Sequence, residues 1–310
     1  MRRQENGFMK KTFDMKGRIS RIDPKRFTLK LLYSFVRFVI IFGLGFIICK
    51  PLIGKLLFSF MTPDDIFDFT VQSIPSRPSL FFWREALQCI SLPKSLINTV
   101  VLSFTVALFQ TVACTLVGYG FARFRFAGRN ILFAFVIILM LVPIQTISIA
   151  QYQTFSNMHL VDTFVPLYVL AITCLGLKQG LYIYLIRDNF MAIPNSVEEA
   201  AYIDGAGIWT TFYRVMLPNA RVIMITVFLF SFCWQWSDTY YTSLYLTETK
   251  VFANVWSDIV VRFGTGTNQL ATFYARCAGV LFMVIPLFCL FAVCQRFFVK
   301  SIAQSGLSNV

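Results

Sequence analysis

Apolar residues in this chain gather into six long stretches separated by polar connections. They run from about Tyr33 to Phe60, Asn98 to Ala122, Ile131 to Ala150, Pro166 to Ile186, Val222 to Leu246 and Phe273 to Phe298. A bilayer-crossing helix uses roughly 20 such residues. A backbone in hydrocarbon must satisfy its own hydrogen bonds, so each stretch predicts a helix rather than an open strand. The first stretch is interrupted by Arg37, Lys50-Pro51 and Lys55. It starts too late and runs too long for a signal-peptide core, which predicts a retained span. The expectation is an all-α integral membrane protein with six transmembrane helices.

Composition agrees. Of 310 residues, 57% are hydrophobic and only 14% charged, against about a quarter charged in water-soluble domains. The net charge of +13 is unevenly placed. Residues 1–37, 123–130, 187–221 and the tail hold 19 of the 28 Lys and Arg, while the intervening segments hold Arg77, Arg84, Lys94, Lys250 and Arg262. Basic loops stay in the cytoplasm, so both termini are expected there, in a multi-pass arrangement in the plasma membrane. The basic arm at 1–32 could also meet anionic lipid or nucleic acid; the topogenic reading is preferred, and no nucleic-acid partner is expected.

The acids exclude several chemistries. None occurs in 86–161, 163–187, 205–237 or 259–310, and only Asp238 falls well inside a proposed span. Proton- and sodium-coupled carriers commonly need intramembrane carboxylates, and hydrolases need paired acids or a His. The chain has one His, His159, and its eight Cys form no C-x-x-C pair, so neither a metal site nor a disulfide framework is expected. No phosphate-binding loop is present, since Gly54-Lys55 lacks the earlier glycine and Gly264-x-Gly266 lacks the third. No cofactor of its own and no enzyme activity are expected; ATP and magnesium, if used, belong to another polypeptide.

One polar segment, 187–221, carries a distinct signal. After Pro194, the S-x-x-E spacing of Ser196 and Glu199 predicts a capping box opening a helix. Glu198 and Glu199 complement its positive end, and Gly205 and Gly207 offer a stop. A second short helix would place Trp209, Phe212, Val215 and Met216 on one face, with Leu217-Pro218 before the fifth span. Such a helix–turn–helix could dock on a partner or rest on the headgroups.

Glu199-Ala200-Ala201, followed by Asp204-Gly205-Ala206, Phe212 and Leu217-Pro218, resembles the EAA loop of ATP-binding-cassette (ABC) importer permeases. The form is that of the carbohydrate-uptake branch, of the maltose-permease type. Asn98-Thr-Val, Gly118-Tyr-Gly-Phe-Ala-Arg-Phe-Arg-Phe-Ala-Gly128, Val142-Pro143, Trp236-Ser-Asp238 and Gln295-Arg-Phe-Phe-Val-Lys300 are similar too, over about residues 33–300. The resemblance implies a type I importer permease fold in the cytoplasmic membrane of a prokaryote. It implies a permease domain at 33–300 with its coupling loop at 187–221, and a short tail at 301–310. It also implies a second, often non-identical permease, two ATPase subunits and an extracellular solute-binding protein. The ATPase groove would receive the Glu199 helix. The chain departs from the family at Val222, where proline is common, in its tail, and in its added N-terminal arm.

Sugars present apolar CH faces and hydroxyls, so aromatic platforms and neutral polar groups suit them. On a continuous fifth span, Trp234, Asp238, Tyr241 and Tyr245 would share one face. Lys178 and Gln179 lie near the middle of the fourth, where a charge needs a polar cavity or a partner. These six are the candidate pathway residues. Aromatic-girdle packing, and for Lys178 an inter-subunit contact, are the competing structural roles. The expected function is carbohydrate import, an oligosaccharide foremost, by alternating access. A glycerol phosphate or polyol permease, a stand-alone channel, an ion-coupled carrier and a non-transporting receptor are the alternatives.

Overall fold

A computed structural model describes residues 24–68, 70–255, 259 and 269–307. The first 23 residues of the basic arm, the outer-loop glycines Gly264 and Gly266 and the last three tail residues lie outside the described residues. Every regular element among the described residues is helical.

The chain divides into two units, Met1–Lys55 and Leu56–Val310. The first holds most of α1 (Pro24–Ser59), which continues through Pro51 without ending. The second contains α2 (Phe81–Ile90), α3 (Leu92–Arg123), α4 (Arg129–Leu141), α5 (Ile144–Asn157) and α6 (Val165–Ile172). It continues with α7 (Gln179–Ala192), α8 (Asn195–Ile203), α9 (Ile208–Thr211), α10 (Leu217–Ser237), α11 (Tyr240–Tyr245) and α12 (Gln269–Leu307).

Four helical runs among the described residues are long and apolar enough to cross a bilayer: Leu31–Ser59, Leu92–Arg123, Ile208–Ser237 and Gln269–Val293. Three of the six expected continuous spans are broken. Val142-Pro143 divides the third into α4 and α5, which meet at 97°; counted as one broken span, they bring the total to five. Proline has no amide hydrogen to donate and disfavours the helical region for the residue before it, and Val142 is extended at ψ 123°. The fourth stretch becomes α6 and α7, joined by Thr173–Lys178 with Cys174 and Lys178 in the left-handed region. The fifth ends at Ser237, where Asp238 turns extended at ψ 119°.

Helix α3 is the central post, packing along both α7 and α10. Gly118 lets α3 approach α7 closely, since a Cβ there would stand 2.8 Å from Ile186 Cγ2. Small residues at such crossings are how membrane helices gain dispersion contact without a hydrophobic driving force. Polar ties reinforce the bundle: Ser231 of α10 donates to Gln110 of α3, and the Trp236 indole donates to the Met283 carbonyl of α12 at 3.1 Å. One apolar cluster packs Phe82, Ala86, Trp236, Phe252 and Tyr274. Another gathers Leu102, Val106, Leu170, Tyr241 and Tyr245. A third, around Tyr119, Tyr182, Phe190, Phe212 and Met216, sits at the Arg123 end of α3.

Candidate functional site

The segment after α7 folds as a short helix followed by a sharp reversal. Helix α8 starts two residues earlier than the capping-box spacing predicts: Pro194 is its N-cap and no side chain caps it. Ser196 therefore lies inside the first turn, and proline's fixed φ sets the entry instead. The stop falls at Gly205, φ +82°. Its amide donates to the Tyr202 carbonyl at 3.0 Å and the Ala206 amide to the Ala201 carbonyl at 2.9 Å, the paired bonds of a Schellman ending that requires a left-handed residue.

The chain then enters α9. A wide turn, Phe212–Met216, joins it to α10, so Ile208–Ser237 is one continuous rod. Pro218 explains the wide turn. A normal α-helical pitch would drive its ring into the carbonyl four residues back, whereas here the Leu217 amide bonds to the Phe212 carbonyl five residues back. The extra residue per turn also splits the expected apolar face. Phe212 and Met216 are buried, Val215 is half-buried, and Trp209 stands 67% exposed.

The motif residues thus divide in two. Glu199, Ala200, Asp204, Gly205 and Pro218 are exposed, and Ala206 and Leu217 are half-buried. Ala201 and Phe212 pack inward; the Phe212 ring lies 4.7 Å from that of Tyr119. The exposed group is bordered by Tyr202, Ile203 (85% exposed), Ile208 and Trp209, an apolar tip ringed by acids.

The base of the loop rests on residues whose role the sequence did not single out. Glu198 is buried on the inward face of α8. Its Oε1 accepts from the Tyr119 hydroxyl at 3.0 Å, and its Oε2 lies 3.3 Å from Arg123 Nε, an ion pair without the direction of a hydrogen bond. Arg123 also donates to Asn195 Oδ1 and, at 2.7 Å, to the Ile193 carbonyl. One guanidinium at the end of α3 thus holds three points on α8 and its entry. A signal was available: Ala201, three residues after Glu198, shares its helix face and is small and apolar, which marks that face as inward.

The broken spans meet at a second feature. A cavity of about 360 Å³ is walled by the α4–α5 break, the α6–α7 connection and Tyr241. Lys178 and Gln179 both line it, but they differ in kind. Gln179 is 1% exposed. Its Nε2 donates to the Ala171 carbonyl at 2.6 Å, and its Oε1 accepts the Gly176 amide. The side chain thereby replaces backbone partners lost at the break, as non-helical backbone in a membrane demands. Lys178 is exposed, with Nζ 4.9 Å from the Trp234 ring centroid.

The expected Trp234–Tyr245 face does not exist as one helical stripe, because the helix ends at Ser237. Asp238 instead receives the first amides of α11: Oδ2 accepts from the Thr242 amide at 2.8 Å and hydroxyl at 2.9 Å, and Oδ1 from the Tyr241 amide at 3.4 Å. Tyr245 is fully buried and stacks on Tyr241 at 6.1 Å. Tyr241 donates to Gln151 Oε1 at 3.2 Å. Lys178, Gln179 and Tyr241 thus line the cavity, with Trp234 beside Lys178, while Asp238 and Tyr245 do not line it. Among the described residues no cluster of His, Cys, Asp and Glu could hold a metal ion.

An all-helical bundle with discontinuous spans and a protruding acidic–apolar loop is the architecture of an importer permease. Residues 114–304 match the family described as "Binding-protein-dependent transport system inner membrane component", and the chain belongs to that family. It is a membrane-embedded ABC-importer component, a transport subunit rather than an enzyme. It is 28% identical over 278 residues to the osmoprotective compounds uptake permease GgtD of Synechocystis, covering 87% of this chain and 91% of that one. It is 26% identical over 236 residues to the melibiose/raffinose/stachyose import permease MelC of Bacillus subtilis, covering 76% and 83%. The fold superposes with TM-score 0.70 and 18% identity on a bacterial ABC transporter involved in import of the acidic polysaccharide alginate, covering 86% of this chain and 96% of that one.

Proposed function

We propose that this permease carries a carbohydrate, with an oligosaccharide as the leading class, across a prokaryotic cytoplasmic membrane by alternating access. The sugar class is supported by the likeness to MelC and by a cavity lined by a phenol and amide side chains, surfaces sugars use, with the Trp234 indole beside its Lys178. Both termini lie in the cytoplasm in this reading, supported by the Lys and Arg distribution. A second permease covers the exposed side of the cavity, and a solute-binding protein delivers the cargo from outside.

Two ATPase subunits bind ATP and magnesium, and one of them receives the loop tip at Glu199, Ala200, Asp204 and Gly205. The observation that carries this is the division of the motif: an exposed acidic–apolar tip on a base tied to α3 and continuous with α10. Ala201, Ala206, Phe212, Leu217 and Pro218 then act from within, shaping and stiffening the knuckle. Closure of the ATPases pushes the tip; α10 carries that displacement toward Trp234, and Arg123 carries it into α3.

The whole complex in proteoliposomes tests the assignment. Labelled oligosaccharide should enter only with ATP and the binding protein. Flux through this chain alone, without ATPases, would instead make it a channel or carrier.

A further inference from the structure

We infer that Lys178 is an anion-recognition residue, so that the imported polyhydroxylated solute carries a carboxylate or a phosphate. The inference deepens the reading of this chain as an importer of a polyhydroxylated solute and rests on it. Lys178 is the cationic side chain among the residues lining the cavity, and no acid lines it. Between residues 139 and 181 the chain has a single acid, Asp162, whose Oδ1 is taken by the amides of Thr247, Glu248 and Thr249. Asp238, which does not line the cavity, has both oxygens engaged by α11.

Among the described residues no carboxylate lies within ion-pair distance of the ammonium. The Trp234 face stabilises it only in part, because a ring quadrupole is weaker than an opposite charge. An uncompensated cation at a break between membrane helices is unfavourable until something anionic arrives. Its position is also held by the fold. Lys178 sits in the left-handed region at φ 57°, and the adjacent Gln179 is locked by Ala171 and Gly176. Lys178 thus lines the cavity with Gln145, whose amide suits hydroxyls, and its ammonium lies beside an indole plane that suits a sugar ring. A carboxylate on a uronic-acid sugar and a phosphate on a short polyol share the required charge.

The experiment uses the complete complex with its binding protein in proteoliposomes and three probes: digalacturonate, sn-glycerol 3-phosphate and maltose. At least one anionic probe should be taken up. Lys178→Gln should lower its kcat/KM tenfold or more, and Lys178→Arg should keep most of it. Uptake of digalacturonate alone assigns a carboxylated saccharide; uptake of the phosphate alone assigns a phosphorylated polyol. Co-purification of Lys178→Gln with its ATPases shows that the variant assembles. Uptake of maltose with neither anion overturns the inference and leaves the carbohydrate reading standing. Anion uptake indifferent to Lys178→Gln, or a zero-length crosslink from Lys178 to a carboxylate of the second permease in the solute-free complex, overturns it as well. Uptake of none of the three overturns the inference, and the oligosaccharide assay above then decides the carbohydrate reading by itself.

Discussion

Arg123, the last residue of α3, stands 3.3 Å from the buried carboxylate of Glu198 on α8. With its bonds to Asn195 and Ile193, this contact makes the protruding loop an extension of the central post. A loop that is to transmit force must not give way at its base.

Arg123→Ala should detach that base. Removing one partner of a buried pair leaves the other charge uncompensated, which costs about 3–5 kcal/mol. Amide exchange in α8 should speed up markedly, and transport should fall further than ATP turnover in the assembled complex. The exchange Arg123→Glu with Glu198→Arg should recover part of both. Unchanged exchange in α8 of Arg123→Ala would show that the loop stands without this anchor.

Glu199→Lys should act differently, because Glu199 is exposed. Thermal stability of the purified chain should change by no more than about 0.5 kcal/mol. Co-purification with the ATPases, or solute-stimulated ATP hydrolysis, should be lost. Normal stimulated turnover would remove the tip from the docking role.

Two glycines two residues apart on α3 offer a matched pair. Gly118→Ala would bring a Cβ to 2.8 Å from Ile186 and 3.2 Å from the Arg187 amide, and overpacking of this kind costs about 1–3 kcal/mol. Gly120→Ala meets nothing within 4 Å and should stabilise the helix by up to about 1 kcal/mol. Melting temperatures in detergent should move in opposite directions.

Asp162 predicts a pH dependence. Burial raises its pKa, but the amides of Thr249, Glu248 and Thr247 outweigh that and hold the carboxyl below its ordinary value. Because the folded value is the lower one, the stabilisation is complete above the unfolded value of about 3.9 and is lost as pH falls through the folded value. Asp162→Asn should melt lower than the wild type at pH 7, and the two melting curves should converge toward pH 3. Parallel curves across that range would show that the carboxylate is not what ties these turns together.

The helical class and the loop motif were legible in the sequence because both depend on local pattern. A run of 20 apolar residues and a Gly205 stop mean the same thing wherever they fold. Breaks were harder to see. Pro143 marked one, but nothing local shows that Gln179 would satisfy Ala171 and Gly176, and without those bonds Thr173–Lys178 reads as helix. The supposed stripe from Trp234 to Tyr245 failed for the same reason: Asp238 found amides to accept and ended the helix.

Pattern alone therefore settled that this polypeptide lives in a bilayer, is helical, and carries a short helix–turn–helix between two spans, since hydropathy and turn chemistry act over a few neighbouring residues; its resemblance to the EAA loop is what pointed to an importer permease. Which of two adjacent glutamates is buried and which is exposed, and that Lys178 both lines a cavity and meets Trp234, came only with the folded chain. Arg123 and Glu198 are 75 positions apart, and a pairing across that distance is set by how α3, α7 and α10 pack, which no local period encodes.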